Sequence, residues 1–130
     1  MADSGFLSMK GIGIDIIEID RIKEAVENYG EKFLVKVYTP HEIKRCTKAK
    51  KYRIPELAVR FAAKEAYSKA LGTGIAGFGH NDHGVSWTDI EIRNDKLGKP
   101  IVAYKGKINK KTHISLSHSR DYAVASVIIE

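Results

Sequence analysis

The chain has 130 residues, 43% of them apolar, which suits one compact domain with a real core and is short for two. Formal net charge is +6, and Cys46 is the only cysteine, so an intrachain disulfide and a cysteine-cluster zinc site are both excluded. No run approaches the ~18 apolar residues of a membrane span, and no basic-then-apolar leader opens the chain. A reducing cytoplasm without membrane association is the expected setting.

Residues 1–8 (MADSGFLS) show no periodicity and are read as an N-terminal extension or an expression remnant, leaving residues 9–130 as the single domain. Lys10 to Ile16 is predicted as a buried strand, with glycines where another backbone approaches closely. Asp20 is the predicted N-cap of a helix to Tyr29, ended by Gly30. Glu31 to Val37 reads as a second short helix. Thr39-Pro40 with Glu42 reads as a capped start to a third, running to about Lys48. Residues 21–53 hold ten Lys/Arg against four Asp/Glu, densest from Lys44 and Arg45 to Arg53. Such a segment suits a nucleic acid, an anionic membrane or an acidic protein, or it is simply a solvated helix face.

Pro55 to Leu71 carries the strongest helix signal, opened by proline and closed at Gly72-Thr73-Gly74. At 100° per residue, Leu57, Phe61, Ser68 and Leu71 share one face, and Val59, Ala62, Ala63, Ala66 and Ala70 the opposite one. A helix apolar on two faces is sandwiched between other elements, so this one is predicted to be central. Residues 75–84 form a glycine-rich loop. Val85 to Asn94 alternates as a strand, with Trp87, Asp89, Glu91 and Arg93 on one face and Ile90 and Ile92 on the other. A turn at Asn94 to Pro100 returns it to Ile101–Tyr104. His113–His118 and Tyr122–Ile129 form a last hairpin. Helices segregated from antiparallel strands define an α+β fold.

Asp15 stands between Ile14 and Ile16. A carboxylate buried there costs several kcal/mol unless it is paired or metal-bound; otherwise it is a partly solvated strand-end residue. Glu65, four residues before Lys69, is either half of a surface pair worth ~0.3–0.5 kcal/mol or, at ~40° from Phe61, a carboxylate held near the core. Two such carboxylates from separate elements suffice for Mg²⁺, which keeps waters and takes phosphate oxygens. Gly72 is explained by a helix C-cap. His80 to His83 is read as a loop, not a metal site. His118 between Ser117 and Ser119 suits a phosphate contact better than a hydrolytic pair, which a third residue would have to orient. Cys46 is a packed or partly exposed thiol.

Four segments in order — GIGIDIIEIDRI, RFAAKEAYSKALGTGI, WTDIEIRNDKLGKP and HISLSHSRDYAVASVIIE — closely resemble the holo-acyl-carrier-protein synthases, over roughly residues 9–130. The resemblance implies the 4′-phosphopantetheinyl transferase fold: an antiparallel sheet packed on a long central helix, assembled as a homotrimer with sites between subunits. It implies transfer of phosphopantetheine from coenzyme A to a serine of an apo acyl carrier protein, in support of fatty acid biosynthesis. Asp15 and Glu65 match the Mg²⁺ carboxylates. Lys69 matches a lysine directed at the coenzyme A phosphates, and Gly72 a backbone position beside that substrate. His118 and Ser119 match a pair at the nucleotide end, where the family more often has threonine second. Arg60 matches an arginine near the cofactor, and Arg21 a contact to the carrier. Lys44 and Arg45 join Arg21 as the basic surface expected to face that acidic partner. The proton of the carrier serine passes to Glu65, to Asp15 or to a metal-bound water. The competing reading is a small basic nucleic-acid-binding domain or a non-catalytic α+β interaction domain. It leaves Asp15 and Glu65 unexplained and lacks zinc-finger spacing or an RNA-binding aromatic strand.

Overall fold

The computed structural model describes residues 9–75 and 84–130. The predicted extension 1–8 and the His80–His83 loop lie outside the described residues. The element order is β1 Gly11–Glu18, α1 Ile19–Tyr29, α2 Glu31–Val37, α3 Pro40–Arg45, β2 Thr47–Lys48, β3 Lys51–Tyr52 and α4 Ile54–Leu71. After a 3₁₀ turn at Trp87–Asp89 come β4 Ile90–Asn94, β5 Pro100–Tyr104, β6 Lys107–Ile108, β7 Thr112–His118 and β8 Tyr122–Ile129. This is the expected α+β architecture. One antiparallel sheet runs β1-β8-β7, a second β4-β5-β6, and β2-β3 is a small hairpin.

Proline in its first turn and glycine after its last fix the ends of α4, and Gly72 takes the left-handed conformation at φ 79°. Eleven of its residues are buried, as its two apolar faces require. Its alanine face lies on β1. A Cβ on Gly11 would sit 2.0 Å from the Ala70 carbonyl oxygen, and one on Gly13 would sit 1.9 Å from that of Ala66. The strand is buried on that side only. Ile12, Ile14 and Ile16 point away from α4 and are 64, 63 and 64% exposed, so the expectation of a strand buried throughout is corrected for the single chain.

Other boundaries moved through strand pairing and capping. Pairing of β1 with β8 continues to Glu18 opposite Tyr122, so Glu18 becomes the N-cap of α1 and Asp20 falls in its first turn. Thr39 and Glu42 form the expected capping box, but α3 ends at Arg45 because Thr47 and Lys48 pair with Tyr52 and Lys51. Ser86 and Asp89 form a second capping box that curls Trp87–Asp89 into the 3₁₀ turn, so the strand starts at Ile90 rather than Val85. Ile90 and Ile92 are buried, as their alternation predicts.

Lys64 and Glu42 form a fully buried ion pair. Lys64 Nζ also donates to the carbonyls of Val37 and Trp87. The Glu42 carboxylate accepts from the N–H groups of Thr39 and Ile92 as well. Burial lowers the Lys64 pKa, and the Glu42 charge opposes that shift. With its partners in place the pair ties α2, α3, α4 and β4 to one point.

Gly13→Ala is expected to cost about 3 kcal/mol or more, because the clash is with backbone rather than with a movable side chain. Urea denaturation of the variant checks this; a loss below about 0.5 kcal/mol would mean that β1 and α4 separate freely.

Candidate active site

The close approach of β1 to α4 decides where Asp15 goes. It is two residues beyond Gly13, so it points to the same face and meets the last turns of α4. Lys69 Nζ donates to Asp15 Oδ1 and to the Ile14 carbonyl, both at 3.0 Å. The Asp15 side chain is 17% exposed and that of Lys69 52%. The carboxylate inside the apolar strand is therefore a paired one. Glu65 is half-buried beside it. Its pKa is raised from the ordinary carboxylate value by burial and then by the Asp15 charge, against the pull of Lys69. Asp15 and Glu65 thus supply two oxygen donors from separate elements. Gly72 follows one turn later, with open space where its side chain would be.

A second cluster lies on the other flank of α4. Arg60 is nine residues before Lys69, about 180° away around the helix, and is buried. Its Nη1 donates to the carbonyl and carboxylate of Glu56, and its Nη2 to Asn94 Oδ1. Arg60, Glu56, Asn94, Leu116, Ser117 and His118 line a cavity of about 200 Å³. His118 is exposed, and its Nδ1 is 3.4 Å from the Ser119 carbonyl oxygen. The Ser119 hydroxyl accepts from the Tyr122 N–H, closing the β7–β8 turn.

One chain therefore brings Asp15, Glu65, Lys69 and Gly72 together and, separately, Arg60, His118 and Ser119. Asp15 is on β1 and His118 on β7, the two edges of a sheet whose middle strand is β8. Two strand spacings make that about 10 Å before the offset along the strands is added. The third set is on the surface. The Arg21 side chain is 74% exposed, with Glu18 3.9 Å away, and Lys44 and Arg45 are exposed at the end of α3. Cys46 is fully buried, and burial pushes its thiol up to about 11, far from a nucleophile's range.

Three participants were missed. Glu56 and Asn94 hold Arg60, and the four-residue spacing of Glu56 and Arg60 is the signal that could have revealed the first. Asn94 offered none, since it reads as a turn residue. Lys64 lies about 20° from Leu57 around the helix, which marks it as inward-facing despite its charge.

The profile of the 4′-phosphopantetheinyl transferase superfamily matches residues 11–127. The holo-[acyl-carrier-protein] synthase of Clostridium tetani is 50% identical over 128 residues, covering 92% of this chain and 94% of that protein. The Geobacillus sp. enzyme of that name is 50% identical over 121 residues, covering 92% and 95%. Among solved structures, the Bacillus anthracis synthase in complex with CoA (3′,5′-ADP) superposes with a TM-score of 0.75 at 43% identity, over 94% of this chain and 96% of that one. The Helicobacter pylori synthase in complex with coenzyme A gives 0.74 at 31%, over 92% and 99%. The chain belongs to the 4′-phosphopantetheinyl transferase superfamily. Within it, its curated relatives are the holo-[acyl-carrier-protein] synthases.

In metal-free protein the Glu65 carboxyl is expected to titrate above the ordinary 4.5, and Asp15→Asn to lower it by removing the like charge. Carboxyl-carbon NMR titration reads both. No downward shift in the variant would mean that the two carboxylates do not interact.

Proposed function

We propose that the chain moves the phosphopantetheine arm of coenzyme A onto a serine of an apo acyl carrier protein, releasing 3′,5′-ADP, as a holo-acyl-carrier-protein synthase. One observation carries the reading: Asp15, Glu65 and Lys69 converge where β1 packs on α4, in a chain of this superfamily.

The serine Oγ forms a bond to the β-phosphorus, and the bond from that phosphorus to the bridging oxygen breaks. The electron pair leaves with the 5′-phosphate of 3′,5′-ADP. Serine is a poor nucleophile at neutral pH, so its proton must be taken. Glu65 takes it. In the metal-free protein burial and the Asp15 charge raise the Glu65 pKa, so its basicity is greater. Activity is lost at low pH once Glu65 is protonated, because only the ionised form accepts a proton or holds a cation. Lys69, steered by Asp15 and the Ile14 carbonyl, faces the diphosphate with a fixed positive charge. Asp15 and Glu65 would be the donors for Mg²⁺, whose taste for one or two carboxylates plus water and phosphate oxygens fits this set. Bound there, it would neutralise charge developing on the diphosphate.

His118, Ser119 and Arg60 receive the nucleotide end, and the open backbone at Gly72 lets the substrate pass close. Since the two clusters lie on opposite flanks of α4, a site is completed by two chains: Asp15, Glu65 and Lys69 from one, His118 and Arg60 from its neighbour. The exposed Ile12, Ile14 and Ile16 row supplies an apolar face for that contact, and a ring of three closes it. Arg21, Lys44 and Arg45 steer the acidic carrier. The setting is cytoplasmic. Among the described residues no helix is long and apolar enough to cross a membrane.

Incubation with apo carrier, coenzyme A and Mg²⁺ should add the arm to the carrier, read by intact mass. Glu65→Gln should keep the fold and lower kcat/KM roughly 100-fold or more. Full transfer by that variant would remove Glu65 from the chemistry, and no transfer by the parent would sink the function.

The two substrates should separate in kinetics. Lys69→Ala and His118→Ala should raise KM for coenzyme A by roughly ten- to a hundredfold, the span of a lost charge-assisted bond. Arg21→Glu, or Lys44→Glu with Arg45→Glu, should instead lower kcat/KM for the carrier and flatten its salt dependence. The opposite pattern would put the cofactor and the carrier on the wrong sides.

A further inference from the structure

Glu56 stands on the wall of the cavity assigned to the nucleotide end, and its charge has the wrong sign for that ligand. Its carboxylate lies between two guanidinium groups, 3.0 Å from Arg60 Nη1 and 3.6 Å from Arg53 Nη2. The Arg60 side chain is 3% exposed and that of Arg53 47%. The buried arginine does not depend on the Glu56 side chain for its position. Nη1 also donates to the Glu56 main-chain carbonyl at 3.1 Å, and Nη2 to Asn94 Oδ1 at 3.2 Å. Arg60 Nε is buried with no hydrogen-bond partner among the described residues. The guanidinium is thus fixed by backbone and Asn94, keeps its Nε–H without an acceptor among the described residues, and has part of its charge cancelled by Glu56.

We propose that Glu56 is an affinity-tuning residue: its carboxylate competes with the phosphates of the nucleotide end for Arg53 and Arg60, and so weakens coenzyme A and 3′,5′-ADP together. This rests on placing the nucleotide end beside Arg60 and His118. The physical reason for such an anion is turnover. Product and substrate share the 3′-phosphoadenosine part, so a wall that held the substrate with both arginines free would hold the product equally. Release sets the rate of many enzymes, and a resident carboxylate keeps that step fast. Arg53, half-exposed and at the longer distance, is the arm free to swing from Glu56 to a phosphate.

The test is calorimetric binding of 3′,5′-ADP to the intact protein. Glu56→Gln keeps the shape, the main-chain acceptor and an amide oxygen for Arg60, and removes only the charge. Its dissociation constant should fall roughly two- to fivefold, the range exposed charge pairs command. Glu56→Asp retains the charge and should bind as the parent does. The gain in Glu56→Gln should shrink at high salt, and KM for coenzyme A should fall in parallel. Binding by Glu56→Gln that is unchanged or weaker overturns the proposal, as does equal tightening by Glu56→Asp. His118→Ala separates the two levels. If it weakens 3′,5′-ADP and Glu56→Gln does not tighten it, the proposal alone fails. If His118→Ala binds like the parent, the placement of the nucleotide end fails and the proposal with it.

Discussion

Gly13 has no room for a side chain. A methyl group there would lie 1.9 Å from the Ala66 carbonyl oxygen, and at Gly11 one would lie 2.0 Å from that of Ala70. The contact needs small residues on both sides, glycine on β1 and alanine on α4, and the spacing of two along the strand matches a helical step of four. Backbone then meets backbone. The side chains flanking that seam, Asp15 from the strand and Glu65 and Lys69 from the helix, are drawn together as a consequence. A bulkier seam would move them apart. The chemistry of the site is therefore set by residues that have no chemistry of their own.

The helix that carries half of this seam is fixed from its other side by Lys64 and Glu42. An ion pair without solvent repays its desolvation only if the remaining donors and acceptors are met. Here Val37, Trp87, Thr39 and Ile92 meet them from four segments. Removing one partner would leave a buried charge and cost about 3–5 kcal/mol. The pair fixes where the short helices α2 and α3 attach, and with them the basic surface at Lys44 and Arg45.

The parts of this that could be read from the sequence are those with a local cause. Proline and glycine bracket α4, alternation marks Ile90 and Ile92, and Thr39 with Glu42 announces a cap. The two-faced pattern of α4 makes it central, and the glycines of β1 mark a close approach. The parts that could not be read have a non-local cause. The extent of β1, which moves the start of α1 from Asp20 to Ile19, comes from its pairing with β8. Glu42 and Lys64 are 22 residues apart, and neither betrays the other. The exposed isoleucines of β1 read as core from sequence because an apolar strand does not say whether its second face meets this chain or another copy. Asp15, Glu65 and Lys69 stood out by their places in strand and helix, the resemblance gave them roles, and the strand-helix seam gives the physical reason they meet.

The proposed function divides the site: Glu65 and His118 lie on opposite flanks of α4 and, on that proposal, act together only across two copies. Co-expression of Glu65→Gln with His118→Ala chains tests it most directly. With coenzyme A held well below the parent's KM, Glu65→Gln alone should be nearly inactive in carrier modification and His118→Ala alone about tenfold or more below the parent. In a mixed ring with one contact per neighbour, about a quarter of the sites pair an intact Glu65 with an intact His118, so activity should reappear at about that fraction of the parent. Mixed assemblies no more active than the separate variants would contradict the account and place both residues in one chain's own site.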